Sequence, residues 1–165
     1  MNIIEKIDLS QKLLRAIFLQ RRVLIATTLL LTRRCNLRCV YCGTHEEKTE
    51  EMSAEKVANL IDRLAALGNK FIKLSGGEPL LREDIGAIVN ACKRNKMYVS
   101  INSNGILVKE KFSEIKCADE IQMTLDGTRE INDSLRGENT YNRVIGTFYS
   151  IDNCLLIRII RNVIC

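Results

Sequence analysis

The chain has 165 residues, of which 46% are hydrophobic and 27% are charged, and its net charge is +5. These values are typical of one globular domain with a sizeable core and exclude wholesale disorder. The excess of positive charge is too small to indicate a nucleic-acid partner, which needs a clustered basic face. The single histidine excludes a site that needs two, and seven cysteines cannot all pair within the chain.

The start of the chain shows no export signal. Charged residues interrupt positions 1–20, which excludes the apolar core of a signal peptide. We predict a helical extension over residues 1–22, with a short helix from Ser10 to about Arg22. The uncharged apolar stretch at 23–32 is too short to span a bilayer as a helix. We therefore expect a cytoplasmic protein with no membrane partner, in which clustered cysteines indicate metal binding or catalysis.

Strands and helices alternate from residue 23 onward. Continuous apolar runs predict strands at 23–31, 71–74, 98–101, 120–125 and 154–164. Apolar residues spaced by three and four predict helices at 53–67, 85–92, 109–115 and about 142–152. Five strands with about four connecting helices indicate right-handed βαβ units and a parallel sheet. Ligands bind at the carboxyl ends of such strands, so the loops that follow them are the candidate site.

The loop after the first strand carries a C-x3-C-x2-C array formed by Cys35, Cys39 and Cys42. Three thiolates at this spacing can face one metal centre. A zinc site would need a fourth ligand, and His45 lies three residues after the last cysteine. The alternative is a cubane iron–sulfur cluster with three protein thiolates and one open iron, where an exogenous ligand can bind. Spacing alone leaves both alternatives open.

The array, with Tyr41 in the aromatic place, resembles the C-x3-C-x-aromatic-C signature of the radical S-adenosylmethionine (SAM) superfamily. Residues 74–82 (LSGGEPLLR) resemble the GGEP motif of the superfamily, and residues 102–105 (NSNG) resemble its S/T-N-G turn. Residues 124–127 (TLDG) and 133–137 (DSLRG) are most similar to the branch that contains peptide- and protein-modifying maturases such as anaerobic sulfatase maturases. The resemblance covers roughly residues 24–165.

The resemblance implies an α/β fold, a partial (β/α) TIM-like barrel, and the activity of a radical SAM oxidoreductase. Cys35, Cys39 and Cys42 would hold three irons of a [4Fe–4S] cluster, and SAM would chelate the fourth iron. One electron from the cluster would cleave SAM into methionine and a 5′-deoxyadenosyl radical, which would abstract hydrogen from an unidentified substrate. A peptide is a candidate substrate, and a flavodoxin or ferredoxin is a candidate reductant. The protein itself supplies binding and orientation.

The GGEP resemblance implies a site for the amino group of SAM. Gly76 and Gly77 allow the backbone to approach a ligand closely, and Glu78 would support the turn. Pro79 is the single proline of the chain, and it stiffens the turn by fixing φ. The alternative for these residues is an ordinary Gly-Gly turn between a strand and a helix.

The later motifs imply contacts with the rest of SAM. Thr124 and Arg136 would contact the carboxylate, which a guanidinium can bind through two hydrogen bonds. Asn102 and Asn104 are candidates for the ribose hydroxyls. The alternatives are a surface arginine and a plain S-N-G turn shaped by the asparagines.

Residues around the cysteines complete the expected site. Tyr41 and the neighbouring backbone are expected to contact adenine, and Gly43 is placed with the cofactor-binding residues. Arg33, Arg34 and Arg38 would favour the reduced cluster by their charge, the alternative being solvated loop arginines.

The superfamily core has six strands, and the sequence supplies about five. We therefore expect residues 23–165 to be a core domain that is incomplete at its C-terminus, with an exposed strand edge. The alternative function is a non-catalytic or degenerate metal-binding fragment, holding iron–sulfur or Cys3His zinc. Cys92 is expected in the core, residues 46–51 in a solvated connection, and three other cysteines in structural or incidental places: Cys117, Cys154 and Cys165.

Overall fold

A computed structural model describes residues 24–44 and 50–151, the backbone of 156–161, and the single positions 7, 10, 11 and 14. Five parallel strands form one sheet in chain order. They are β1 (Ala26–Leu30), β2 (Phe71–Ser75), β3 (Tyr98–Ser103), β4 (Glu120–Leu125) and β5 (Leu156–Arg161). Within the described residues β1 and β5 are the edges, so the sheet is open and the predicted partial barrel is confirmed. Some predicted features lie outside the described residues. They are His45, Cys154, Cys165 and the helix predicted at 10–22, of which only positions 10, 11 and 14 are described.

Five described helices connect the strands. They are α1 (Ala54–Ala66), α2 (Ile85–Arg94), α3 (Val108–Ile115), α4 (Arg129–Arg136) and α5 (Thr140–Ser150). Ser53 caps α1 by accepting a hydrogen bond from the amide of Lys56, and Gly68 follows the helix with a φ of +97°. The sequence predicts no helix at α4. Its apolar residues are only Ile131 and Leu135, too few to form a recognisable stripe.

Strand bounds differ from the prediction at β1, β2 and β3. β2 extends through Ser75, one residue beyond its predicted end. β1 begins at Ala26 rather than Val23, because its ladder starts where β2 starts, at the pair Ala26↔Phe71. β3 extends through Ser103, because Asn102 and Ser103 pair with β4. The asparagine motif and the TLDG motif therefore begin inside their strands and not after them.

The core lies between the sheet and the helices. Consecutive parallel strands with right-handed crossovers place every helix on the same side of the sheet. Alternate strand residues face these helices and are buried: Ile72, Leu74, Val99, Ile101, Ile121 and Met123. Cys92 is fully buried in the same cluster, as predicted. No described helix combines the length and apolar character that crossing a bilayer requires.

The opposite face of the sheet carries a cavity of about 310 Å³ at the amino-terminal ends of β1 to β4. Its lining mixes polar residues such as Thr28, Lys73 and Gln122 with the rings of Phe71 and Tyr98. Ser100 Oγ and Gln122 Oε1 are buried, and neither has a hydrogen-bond partner within the described part of the chain. Buried polar atoms without partners are costly, so these two atoms lower the stability of the sheet locally.

Candidate functional site

The three cysteines lie in the loop that follows β1, and each is partly exposed. The amide of Cys42 donates to the carbonyl of Cys39 over 3.0 Å, which closes a turn between them. The amide of Leu37 donates to Cys35 Sγ over 3.4 Å, and Cys42 Sγ lies 3.1 Å from Thr44 Oγ1. The loop therefore folds back on itself, and its own backbone and side chains contact the sulfurs of Cys35 and Cys42.

The pKa values of two of the three thiols are raised. Burial raises the pKa of Cys35 and of Cys39. Negative charge on Glu78 and Cys42 raises the pKa of Cys35 further. Negative charge on Cys35 and Cys42 does the same for the pKa of Cys39. The guanidinium of Arg136 acts in the opposite direction on the pKa of Cys39. Among the described residues no three His, Cys, Asp or Glu side chains are grouped to hold a single metal ion. In a cubane cluster each thiolate binds a different iron, so the three sulfurs need not converge on one point.

The Gly76–Gly77 turn packs directly against the cysteine loop. A Cβ on Gly76 would overlap the carbonyl oxygen of Thr32, and a Cβ on Gly77 would overlap that of Arg34. The amide of Gly77 donates to Thr32 over 2.8 Å, and the amide of Glu78 donates to Arg34 over the same distance. The sequence predicts a ligand as the reason for these glycines. The structure shows that the chain's own backbone already requires them.

Glu78 joins this turn to the end of β3. Its carboxylate is fully buried and accepts hydrogen bonds from the amides of Leu80 (3.1 Å) and Asn104 (2.8 Å) and from Ser103 Oγ (3.0 and 3.1 Å). Burial raises the pKa of Glu78, and these donors lower it. The next residue, Pro79, is buried and begins a short 3-10 turn. Glu78 thus holds together two of the loops that the sequence predicts for the site.

The two asparagines of the NSNG segment have different surroundings. Asn104 is 8% exposed, and its Nδ2 donates to Asn36 Oδ1 over 2.7 Å and lies 3.9 Å from the sulfur of the first cysteine. Its Oδ1 accepts from the amide of Ile106, which shapes the turn. Asn102 is partly buried, and its Nδ2 lies 3.4 Å from Ser75 Oγ. Asn104 contacts the cysteine loop, whereas the described contact of the Asn102 side chain is with Ser75.

A buried aspartate organises the far side of the loop. Asp126 is 2% exposed and accepts hydrogen bonds from Arg136 Nε (2.6 Å) and Nη2 (3.1 Å), and from the hydroxyl of Tyr41 (2.5 Å). The guanidinium carbon lies 5.9 Å from the centre of the Tyr41 ring. Because Arg136 is 9% exposed, the surface-arginine alternative is wrong. The sequence predicts no role for Asp126, although an acidic residue before glycine at a strand end is a usable signal. Thr124 lies within β4 and is partly exposed.

Helix α4 ends at Arg136 and positions that residue beside Asp126. The amide of Val40, in the cysteine loop, donates to the carbonyl of Leu135 over 2.9 Å. Asn132 is fully buried, and its Oδ1 accepts from the amide of Asp126 over 3.2 Å. The unpredicted helix is therefore bonded both to the cysteine loop and to the end of β4.

Of the arginines in the cysteine loop, Arg34 has a described partner other than the thiols. Arg34 donates to Glu51 over 2.6 and 3.0 Å, and Glu51 also accepts from Thr32 Oγ1 and lies 3.5 Å from Arg82 Nη1. Arg82 is buried and pairs with Asp84 at 2.6 Å. The prediction that residues 46–51 form a solvated connection is wrong at Glu51, because its carboxylate links the cysteine loop to the segment after β2. Residues 46–49 lie outside the described residues.

The fold and the site define an α/β, partial TIM-barrel protein whose functional loops gather at the carboxyl ends of its strands. The chain belongs to the radical SAM superfamily: residues 29–151 match the family described as "Radical SAM superfamily". Members of this superfamily are enzymes that bind a [4Fe–4S] cluster and SAM.

Relatives of known name agree with this assignment. Fe-coproporphyrin III synthase of Methanosarcina barkeri is 38% identical over 114 residues, which are 65% of this chain and 28% of that protein. The mycofactocin maturase MftC of Mycolicibacterium smegmatis is 28% identical over 135 residues, 78% of this chain and 34% of that protein. The chain thus spans about a third of the length of these relatives.

The solved structures show the same fold at low identity. Streptococcus suis SuiB bound to the precursor peptide SuiA superposes with a TM-score of 0.74 at 20% identity, covering 96% of this chain and 38% of SuiB. The structure of anSMEcpe with bound AdoMet and the Cp18Cys peptide superposes with a TM-score of 0.70 at 20% identity, covering 84% of this chain and 43% of that one.

Proposed function

We propose that residues 23–165 are a radical SAM core that cleaves SAM reductively and abstracts hydrogen from an organic substrate, with residues 1–22 as a helical extension. One observation carries the proposal: the loop with the three cysteines follows β1 at the carboxyl edge of the sheet and packs against the Gly76–Gly77 turn. When bound, the reduced cluster supplies the electron that cleaves SAM into methionine and a 5′-deoxyadenosyl radical. A reductant of the flavodoxin or ferredoxin type would supply that electron.

The cluster would be held by Cys35, Cys39 and Cys42. Partial exposure of all three leaves them accessible to iron. The raised pKa of Cys35 and of Cys39 means that metal binding must displace protons, so loading is favoured as pH rises. The Asn104 side-chain amide, 3.9 Å from Cys35 Sγ, supplies a hydrogen bond of the kind that tunes cluster potential.

The carboxylate of SAM would bind Arg136, with Thr124 beside it. A guanidinium has five N–H donors, and Asp126 occupies the edge formed by Nε and Nη2. The edge formed by Nη1 and Nη2 then has the geometry to take a second carboxylate. The buried, oriented state of Arg136 supports this role better than an exposed side chain would.

The rest of SAM would lie across the neighbouring loops. Gly76, Gly77, Glu78 and Pro79 would form the turn for its amino group, with Glu78 acting through the turn because donors of the protein already surround its carboxylate. Tyr41 is 49% exposed, which leaves its ring available to adenine, and Gly43 is exposed beside it.

For the ribose hydroxyls, Asn102 is the better candidate of the two asparagines. It is only partly buried, and its amide makes one long contact with Ser75. Asn104 is committed to the cysteine loop and to its own turn, so we assign it the turn-shaping role.

A peptide is the substrate class that we propose. Two proteins of the same fold, SuiB and anSMEcpe, were solved with bound peptides.

Metal analysis tests the cluster assignment. After anaerobic reconstitution with iron and sulfide, the wild-type chain should hold about four irons and show brown absorbance. Cys39→Ser should lose most of the iron, whereas Cys117→Ser, at an exposed cysteine outside the loop, should retain it. His45→Ala should also retain iron. One zinc with no iron would overturn the proposal in favour of a non-catalytic zinc module.

A further inference from the structure

Asp126 receives no role from the motif resemblance, yet its carboxylate contacts two predicted SAM ligands. Arg136 reaches it from α4, and Tyr41 reaches it from the cysteine loop. We propose that Asp126 is a positioning residue, which fixes Arg136 for the carboxylate of SAM and ties that arginine to the cysteine loop. This inference rests on the proposed function, because it acts through the SAM site assigned above.

The two hydrogen bonds with Arg136 fix the orientation of the guanidinium. Nε and Nη2 bind separate oxygens of Asp126, so rotation of the guanidinium out of its plane would break both bonds. An arginine without such a partner loses rotamer freedom when it binds a ligand, and that loss weakens binding. Prior fixation by Asp126 therefore increases the affinity for a carboxylate at the remaining edge.

The bond with Tyr41 connects this pair to the thiols. Tyr41 lies between the second and third cysteines, so a hydrogen bond to its hydroxyl restrains the turn that carries them. The neighbouring amide of Val40 is bonded to Leu135 of α4, which adds a second restraint between the same two segments. A change at Asp126 should therefore alter both SAM affinity and the surroundings of the cluster.

An asparagine at position 126 cannot reproduce these contacts. The carboxylate only accepts, and Arg136 and Tyr41 donate three hydrogen bonds to it. Asparagine would direct an NH2 group at one of these donors and would remove the charge that neutralises a buried guanidinium.

A double-mutant cycle on the reconstituted full chain tests the inference. The variants are Asp126→Asn, Arg136→Gln and the double variant, with Glu114→Gln as a control that also converts an ion-paired carboxylate to an amide. The readouts are the Kd of SAM, the change that SAM causes in the electron paramagnetic resonance spectrum of the reduced cluster, and iron content. We expect Asp126→Asn to raise the Kd about tenfold or more, and Glu114→Gln to leave it unchanged.

The cycle separates a positioning role from general destabilisation. If Asp126 acts through Arg136, Asp126→Asn will raise the Kd in the wild-type background and will have little effect once Arg136→Gln is present. Equal effects in both backgrounds would overturn the inference. If Arg136→Gln alone leaves the Kd unchanged, the SAM site assigned under the proposed function is itself wrong.

Tyr41→Phe tests the inference even if the Asp126→Asn variant does not fold. It removes one hydroxyl from a half-exposed side chain, so the fold should be retained. We expect a Kd raised about threefold to fivefold, which corresponds to one lost hydrogen bond, and an altered SAM-dependent spectrum. An unchanged Kd together with an unchanged spectrum would overturn the link between the loop and the Asp126–Arg136 pair.

Discussion

Glu78→Gln tests how the GGEP turn is held to β3. Both oxygens of the Glu78 carboxylate accept a backbone amide: Oε1 accepts from Leu80 and Oε2 accepts from Asn104, while the Ser103 hydroxyl reaches both. Glutamine has one acceptor oxygen, so its NH2 group must face one of the two amides. That amide is then left buried without an acceptor.

The expected loss follows from these contacts. A hydrogen bond to a charged group contributes about 1.5–3 kcal/mol, and burying an unsatisfied donor costs a further 1–3 kcal/mol or so. Removing a buried charge offsets part of this loss, because burial disfavours the ionised carboxylate. We therefore expect Glu78→Gln to lower the free energy of unfolding by about 2 kcal/mol.

The pH dependence has a definite sign. The pKa of Glu78 in the folded chain is raised above the ordinary value of 4.5, so its stabilising contribution is fully present below 4.5 and decreases as pH rises through the raised pKa. The difference between wild type and Glu78→Gln should therefore shrink as pH rises. A protonated carboxyl still offers an oxygen to each amide, which glutamine does not.

Urea unfolding of the anaerobically purified chain measures this effect, with Glu138→Gln as an exposed control expected to change stability by less than about 0.5 kcal/mol. A free energy of unfolding for Glu78→Gln within about 0.5 kcal/mol of wild type would refute the reasoning that both oxygens are required.

Two further substitutions test the packing and the charges around the cysteine loop. Gly77→Ala should lower iron content and cost more than about 2 kcal/mol of stability, because a Cβ there overlaps the Arg34 carbonyl. Gly146→Ala in α5, where a Cβ meets nothing within 4 Å, should be neutral or stabilising; equal effects of the two changes would contradict this packing. Hydrogen bonds from Arg82 hold the pKa of Asp84 below its usual 3.8, so the stability from this pair is present above that value and lost as pH falls. Asp84→Asn should cost about 1 kcal/mol near neutral pH and almost nothing in strong acid, as measured by unfolding at both pH values; a cost independent of pH would contradict the ionic role.

Local patterns were sufficient to predict the parallel sheet and the meeting of its loops. Apolar runs and helical spacing predict the five strands and four of the five described helices, and the carboxyl ends of parallel strands necessarily share one edge. The cysteine loop and the Gly76–Gly77 turn were therefore expected as neighbours. Their direct backbone contact was not, because close packing between two loops leaves no periodic signal in the sequence.

Long-range ionic contacts were beyond prediction for a related reason. Asp126 meets Arg136 only because α4 forms, and that helix has too few apolar residues to be recognised. Glu51 lies in a run of charged residues, which ordinarily indicates a solvated surface, yet it pairs with Arg34 seventeen positions earlier. In both cases the partner is chosen by the three-dimensional fold, and composition alone carries no information about it.

Formation of 5′-deoxyadenosine tests the central proposal most directly. The full chain, reconstituted with iron and sulfide and shown to hold about four irons, would be incubated anaerobically with dithionite and SAM and analysed by liquid chromatography and mass spectrometry. We expect 5′-deoxyadenosine and methionine from the wild-type chain and neither from a Cys39→Ser variant. A wild-type chain that holds its cluster and yields no 5′-deoxyadenosine would contradict the proposed function.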